Sequence, residues 1–429
     1  MLGPQSTVLL VLLVAGFGAL MWWMVATRLV LLRVLAAGMA FMLAMLVGVL
    51  AVNRYYGYYQ SWGSAAADLT NQGAGPGVRV SARMVASGSR SDALTGPDIY
   101  LQLARQQGYT LHLALTGPLS HITRTVYVYL PPEYFQPAYR SYRFPVVELI
   151  HGQPGEPQDW INVVGVTVTL DHLLNQKLAQ PAVLVMPDAN GGQQVSLQCL
   201  NQVGGPQDLT YLAQDLPVQV ARLFRVQPPG PAWGVAGYSE GGFCAANMAL
   251  RFPSRYGGAG VLSGYFAPMD NRLASSSQPV SPFGGSRRLR LENTPVDEVQ
   301  QLPAGAAIPR FWIGAGRDNG PDADAAEFFW QELQLRQANV PLTLTPGGGH
   351  NMGTWRAEVP PMLRWMTSVL ASAVPDSAAA QARTAAVRRG RAPARAASTM
   401  TFRSHLAGAL RADHAAAGPP RRAGHPRPG

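Results

Sequence analysis

Ala232-Trp233-Gly234-Val235-Ala236-Gly237-Tyr238-Ser239-Glu240-Gly241-Gly242-Phe243-Cys244 decides the reading of this chain. An apolar run enters a turn with glycines two residues either side of a serine, and a helix-forming stretch follows through Leu250. This is the pattern of a nucleophile elbow, in which a strained strand-to-helix turn lifts a serine hydroxyl clear of a sheet. Glycine is needed where a β-carbon would clash in the crowded turn. Ser239 then stands at a helix N-terminus, where backbone N–H groups and the helix dipole favour developing negative charge. A plain helix N-cap is the competing role for the same serine.

A serine of ordinary pKa needs a base and an orienting acid. In elbow-type hydrolases these follow in the order Ser, acid, His. Ile308–Gly314 reads as a strand and Ala315-Gly316-Arg317-Asp318-Asn319-Gly320 as the turn leaving it, which makes Asp318 the expected acid. Asp322 and Asp324 are its rivals, a few residues further on. Pro341–Thr345 reads as a last strand, and Pro346-Gly347-Gly348-Gly349-His350 sets His350 on the loop beyond it as the expected base. Two backbone donors are needed for an oxyanion. Glu240 N–H is one. The other is expected from His151-Gly152-Gln153-Pro154, after the strand Phe144–Ile150. Gln153 is preferred because Pro154 has no N–H, with Gly152 as second choice.

Further motifs carry a family resemblance. They are Val126-Tyr127-Val128-Tyr129-Leu130-Pro131-Pro132-Glu133-Tyr134, Val147–Gly152 with Trp160, Met186-Pro187-Asp188-Ala189-Asn190-Gly191, the elbow, and His350 with Trp355. Over about Gly108 to Leu370 the chain resembles the esterase D / antigen 85 group of α/β-hydrolases. The resemblance implies carboxylester hydrolysis or acyl transfer through an acyl-serine, with Ser239, Asp318 and His350 as the triad. One residue departs from the pattern: relatives often carry an apolar residue after the serine, and here it is Glu240, a carboxylate expected at the site mouth. No cofactor is implied. His112, His121 and His172 have no partners at ligand spacing, so no metal site is expected. Asp188 reads as a loop-ordering carboxylate and Ser263 as a strand-end packing residue.

The alternation of strands and helices argues a mostly parallel sheet with helices on both faces, an α/β-hydrolase fold. Strands are expected near Thr123–Leu130, Phe144–Ile150, Ala182–Met186, Ala232–Ala236, Gly258–Leu262, Arg310–Gly314 and Leu342–Thr345. Helices are expected near Leu170–Leu178, Leu209–Phe224, Gly242–Arg251, Asp322–Gln337 and Pro361–Ala371. Leu273–Leu302, rich in Ser, Pro and Arg, reads as an irregular cap over the site.

The N-terminus sets the compartment. Thr7–Thr27 and Val34–Val52 are uncharged, mostly apolar runs of 21 and 19 residues. Each suffices, or nearly so, for a hydrocarbon core of about 30 Å. Residues 1–54 therefore read as a two-span membrane anchor. A cleaved signal peptide fits poorly, since Met1–Ser6 carry no basic residue and the apolar run is too long. Tyr55, Tyr56, Tyr58, Tyr59 and Trp62 follow, as rings do at a lipid–water boundary. Arg28 and Arg33 lie between the spans, which puts that connection in the cytoplasm and the catalytic domain outside.

Four regions follow: the anchor, a juxtamembrane spacer over 55–107, a catalytic domain over 108–374, and a tail over 375–429. The tail holds ten arginines against Asp376 and Asp413, a net +8 of the chain's +10. The catalytic body is therefore nearly neutral, and the tail, poor in apolar anchors, is expected to be disordered. Anionic lipid or envelope polymer is the expected partner of such a tail, if it has one; nucleic acid is not favoured. Cys199 and Cys244, the chain's two cysteines, either pair in a disulfide between a loop and the elbow helix or stand as unrelated buried thiols. An exported domain would let the bond persist. The functional expectation is a membrane-anchored extracytoplasmic serine esterase acting on an ester or acyl lipid. An acyltransferase resembling the mycolyltransferases is the enzymatic alternative, and a non-catalytic glycan- or lipid-binding protein the alternative of another class.

Overall fold

The computed structural model describes residues 2–69, 104–192, 196–270, 281–303, 305–336 and 339–374. The tail over 375–429 and most of the spacer lie outside the described residues, as does the first part of the expected cap.

Two apolar helices open the chain: α1, Thr7–Ala26, and α2, Val30–Tyr56. Both are long and apolar enough to cross a membrane. They are joined by three residues instead of the six expected, because α2 begins four residues before Val34 and takes Arg33 into its first turn. That arginine donates to the carbonyl of Thr27 at 2.8 Å. The two free ends of the hairpin meet: Gln5 donates to the Tyr59 carbonyl at 3.1 Å and Arg54 to the Gln5 carbonyl at 2.9 Å. Gly57 ends α2 in the left-handed conformation at φ 64°, where its N–H satisfies the Asn53 carbonyl.

The remainder is built on one eight-stranded sheet: β1 Tyr109–Thr116, β2 Thr123–Leu130, β3 Val146–Ile150, β4 Val183–Pro187, β5 Gly230–Tyr238, β6 Tyr256–Leu262, β7 Arg310–Gly316 and β8 Leu342–Thr345. Their spatial order is β1-β2-β4-β3-β5-β6-β7-β8. β2 runs antiparallel to its neighbours β1 and β4, and all other pairs are parallel. β1 was not among the expected strands. Its alternating Leu111, Leu113 and Leu115 enter the core, and it adds an antiparallel edge.

Helices α3 Val166–Asn175, α4 Leu216–Leu223, α5 Glu240–Arg251, α6 Gly320–Leu335 and α7 Met352–Ala371 cover the sheet. One face buries Leu216, Phe243, Met248 and Phe329. The other buries Leu170, Trp355, Met362 and Met366. The parallel strands β3 to β7 are buried on both sides along almost their whole length, as a parallel sheet covered by helices requires.

Two expectations change. α7 starts nine residues earlier than Pro361. The helix runs through Pro360 and Pro361 because the face carrying Trp355, Val359, Met362 and Leu363 is buried against the sheet. The described part of Leu273–Leu302 is helical over Arg287–Leu291 and Pro295–Gln301, where the expectation was irregular chain.

Candidate active site

β5 delivers Ser239 into the turn before α5. The serine holds φ 56° and ψ −121°, a conformation a non-glycine residue adopts only under constraint. The constraint is backbone crowding. A β-carbon on Gly237 would run into the Gly241 carbonyl, and one on Gly241 into the Ile150 carbonyl. One on Gly242 would lie 2.8 Å from the Gly264 Cα. The Ser239 N–H is held by the Leu262 carbonyl of β6 at 2.9 Å. Its hydroxyl makes no cap bond to α5; it lies 2.9 Å from His350 Nε2.

On the far side of that ring, His350 Nδ1 stands 2.6 Å from the Asp322 carboxylate. Asp318, the expected acid, is not at the histidine. Its N–H donates to the Gly348 carbonyl at 2.9 Å, which pins the turn after β7 to the glycine loop carrying His350. The carboxylate at the ring comes from the first turn of α6, one turn beyond the strand end. Gly320-Pro321-Asp322 held the signal for this: proline in a first helical turn and an acid beside the helix N-terminus are both preferred there. Of the two rivals, Asp322 is the one whose carboxylate reaches the ring.

His350 is held from its side by aromatic packing. Trp355 meets the imidazole edge-on at 5.2 Å between centroids, and itself stacks on Tyr238 at 4.5 Å and 21°. Tyr238 leans in turn on Trp160 at 4.9 Å.

The loop after β3 lies against the elbow. A β-carbon on Gly152 would sit 3.1 Å from Ser239 Cβ. Buried His151 anchors this loop: the Ala189 N–H donates to its Nε2 at 3.0 Å, so Nδ1 carries the proton and donates to the Gly152 carbonyl at 2.8 Å. Gln153 accepts from the Asn190 amide through Oε1 at 3.1 Å, and it borders the same cavity as Ser239. Asp188 orders the neighbouring turn, accepting from the N–H groups of Asn190 at 3.0 Å and Gly191 at 2.7 Å.

Glu240 does not stand at the site mouth. Its side chain is buried, accepts from the Ser196 hydroxyl, and accepts from the Gln198 N–H at 3.3 Å. Burial raises its pKa, against the opposing effect of those hydrogen bonds. A polar loop thus rests on a residue whose backbone belongs to the elbow. The same loop is tied to α5 by a disulfide between Cys199 and Cys244, with Cα atoms 5.6 Å apart. That distance lies within the range a disulfide spans.

A cavity of about 450 Å³ opens over Ser239 and His350. Sequence reasoning missed its outer wall. Val49, Val52 and Tyr56, all from α2, border the cavity together with Gly152, Gln153 and Trp355. Nothing in the local sequence of α2 distinguishes these residues from their apolar neighbours.

The family model described as "Putative esterase" matches residues 121–366. An uncharacterized protein of Corynebacterium glutamicum is 26% identical over 271 residues. The match takes in 61% of this chain and 62% of that protein, so the chain spans less than two thirds of this relative's length. Among solved structures, the chain is similar to a ferulic acid esterase, with 19% identity and a TM-score of 0.52, covering 62% of this chain and 99% of that one. It is also similar to an S-formylglutathione hydrolase from Agrobacterium tumefaciens, with 19% identity and a TM-score of 0.50 over 62% and 96% of the two chains. A third is a fluorophosphonate-binding serine hydrolase of Staphylococcus aureus, with 18% identity and a TM-score of 0.50 over 61% and 98%. At these identities the structural likenesses establish the α/β-hydrolase fold.

Proposed function

The chain belongs to the Putative esterase family, and within it we propose a membrane-anchored serine esterase whose catalytic domain faces the outside of the cell. One observation carries the catalytic part: Ser239 Oγ, the His350 ring and the Asp322 carboxylate stand in line at 2.9 and 2.6 Å. In this mechanism His350 Nε2 takes the serine proton as Oγ attacks the ester carbonyl carbon. Asp322 accepts from Nδ1–H, fixing the tautomer and stabilising the imidazolium that forms. The backbone N–H groups of Glu240 and Gln153 receive the oxyanion, each contributing about 3 kcal/mol. The C–O bond to the leaving alcohol then breaks, and His350 returns the proton to that oxygen. Water attacks the acyl-serine with His350 again as base, which releases the acid and restores the hydroxyl.

Support for the anchor comes from the exposure of α1 and α2. Val8, Val11, Val25, Val30, Leu31, Phe41 and Met42 are each at least 60% exposed, whereas a soluble core helix would bury such side chains. The meeting of the hairpin's two ends suits a pair of spans that begins and finishes on one side of a bilayer. With Arg28 and Arg33 at the closed end, the positive-inside tendency places the catalytic domain outside. An oxidising exterior also suits the Cys199–Cys244 bond.

The test is turnover of a short-chain nitrophenyl ester by the full-length chain in detergent, with mass spectrometry after a fluorophosphonate probe. The expected result is turnover and a label on Ser239, both lost in Ser239→Ala. A folded chain that does neither refutes the esterase reading.

A further inference from the structure

The cavity over Ser239 has a wall that belongs to the apolar N-terminal hairpin. Val49, Val52, Asn53 and Tyr56 border it from α2, at spacings that put them on one face of a helix. Val49, Val52 and Tyr56 remain 59%, 58% and 50% exposed, so among the described residues this face is largely uncovered. Asn53 is engaged internally: its amide donates to the Tyr59 carbonyl at 3.0 Å and its Oδ1 accepts from the Tyr59 N–H at 2.7 Å. No Asp, Glu, Lys or Arg side chain borders the cavity. Such a lining matches an aliphatic chain and offers little to a charged or hydroxyl-rich group.

This wall is fixed relative to the serine. The Arg356 guanidinium of α7 donates to the carbonyls of Gly57 at 2.7 Å, Tyr58 at 2.6 Å and Val163 at 2.6 Å. The Tyr58 hydroxyl donates to Asp159 at 2.5 Å. A β-carbon on Gly57 would lie 3.2 Å from the Gly353 nitrogen, so the end of α2 sits directly on the start of α7, beside His350. The last two turns of α2 also carry the exposed Tyr55 and Tyr56, with Trp62 just beyond, rings that favour the lipid–water boundary. An ester group at that boundary would be level with the serine.

Resting on the esterase reading above, we infer that α2 is a wall of the acyl site as well as an anchor, and that the substrate is an ester whose acyl chain comes from the bilayer along Val49, Val52 and Tyr56. A chain moving from lipid to this cavity exchanges one apolar surrounding for another, so extraction costs little. The acyl half stays on the serine while the alcohol departs, and it is the half that a fixed apolar wall retains.

The experiment uses the full-length chain in phosphatidylcholine vesicles and a fluorophosphonate with a twelve-carbon alkyl chain ending in a diazirine. Labelling forms the Oγ–P bond and breaks P–F; His350 takes the serine proton and fluoride leaves. Irradiation then marks whatever surrounds the chain end. The expected result is a label on Ser239 and photo-cross-links concentrated on residues 49–56. Labelled Ser239 with cross-links elsewhere in the hydrolase overturns the inference and leaves the esterase reading intact; absence of a Ser239 label sinks both.

A second measurement is the ratio of kcat/KM for dodecanoyl over butyryl nitrophenyl esters. Val52→Trp should lower it about fifteenfold, the loss of contact for about two methylenes at roughly fourfold each. Val11→Trp, on α1 and outside the cavity lining, should leave it unchanged. An unchanged ratio in Val52→Trp overturns the inference.

Discussion

Ser239 and Asp322 reach His350 from opposite sides, and the two are held by different means. At the elbow the backbone does the holding. Gly237, Gly241 and Gly242 pack so closely against neighbouring chain that the turn has no alternative path, and the serine conformation follows. At the acid, the holding is done by one side chain reaching from the first turn of α6, while the loop beneath it is fixed separately by the Asp318 N–H and the Gly348 carbonyl. A site enforced by backbone fails together with the fold. A site enforced by a side chain can lose its chemistry and keep its structure.

The sharpest way to test that contrast is Asp322→Asn. It should lower kcat about 10⁴-fold, because an amide leaves the imidazole in the wrong tautomer and without a counter-charge. Its melting temperature should stay within a few degrees of wild type. Asp318→Asn keeps its backbone bond and should change kcat less than about threefold, within the ordinary range of surface substitutions. Kinetics on the two variants check this, and equal losses would show that the acid has been wrongly assigned.

Gly241→Ala should break the other half of the comparison. A β-carbon forced against the Ile150 carbonyl should cost about 3 kcal/mol or more, with activity and cooperative unfolding lost together. Denaturant titration alongside ester turnover decides it; a stable but inactive variant would mean the elbow is not backbone-enforced.

Cys244→Ala tests a brace on the same helix. The bond joins residues 45 apart, and its loss should cost about 3 kcal/mol of stability through greater freedom of the unfolded chain. The expected pattern is a lower urea midpoint for the variant than for wild type under oxidising conditions, a gap that closes when reductant opens the bond in the wild type.

A pH effect concerns Glu148, fully buried in β3 beside the elbow strand. Burial pushes its pKa up to about 8, against the hydrogen bond it accepts from the Tyr256 hydroxyl at 3.0 Å. In the unfolded chain the same group titrates near 4.3, roughly. The raised folded-state value means this contribution is complete at low pH and is lost as pH rises through about 8. Urea midpoints should therefore fall between about pH 5 and pH 8, and Glu148→Gln should flatten part of that fall. Glu298 and Glu358, both also raised to about 8 chiefly by burial, share the remainder with Asp159, Asp171 and Asp208, each raised to about 6 chiefly by burial.

By itself the sequence determined whatever is encoded within a single turn of chain. The elbow is legible because Gly237, Ser239 and Gly241 must be those residues for the backbone to turn at all. The parallel strands are legible because both their faces are apolar, and α1 and α2 because apolar runs of that length have few other uses. His350 is legible as the histidine on the loop after the last strand. The tertiary structure decided what depends on reach between elements. Asp318 and Asp322 differ by one helical turn, and only the closing of the α6 start over the His350 loop selects between them. Glu240 reads as a carboxylate at the mouth until the Ser196–Gln198 loop is seen to enclose it. Val49, Val52 and Tyr56 are indistinguishable in sequence from the other apolar residues of α2, because what sets them apart is Arg356, some three hundred residues later, drawing the end of α2 onto α7.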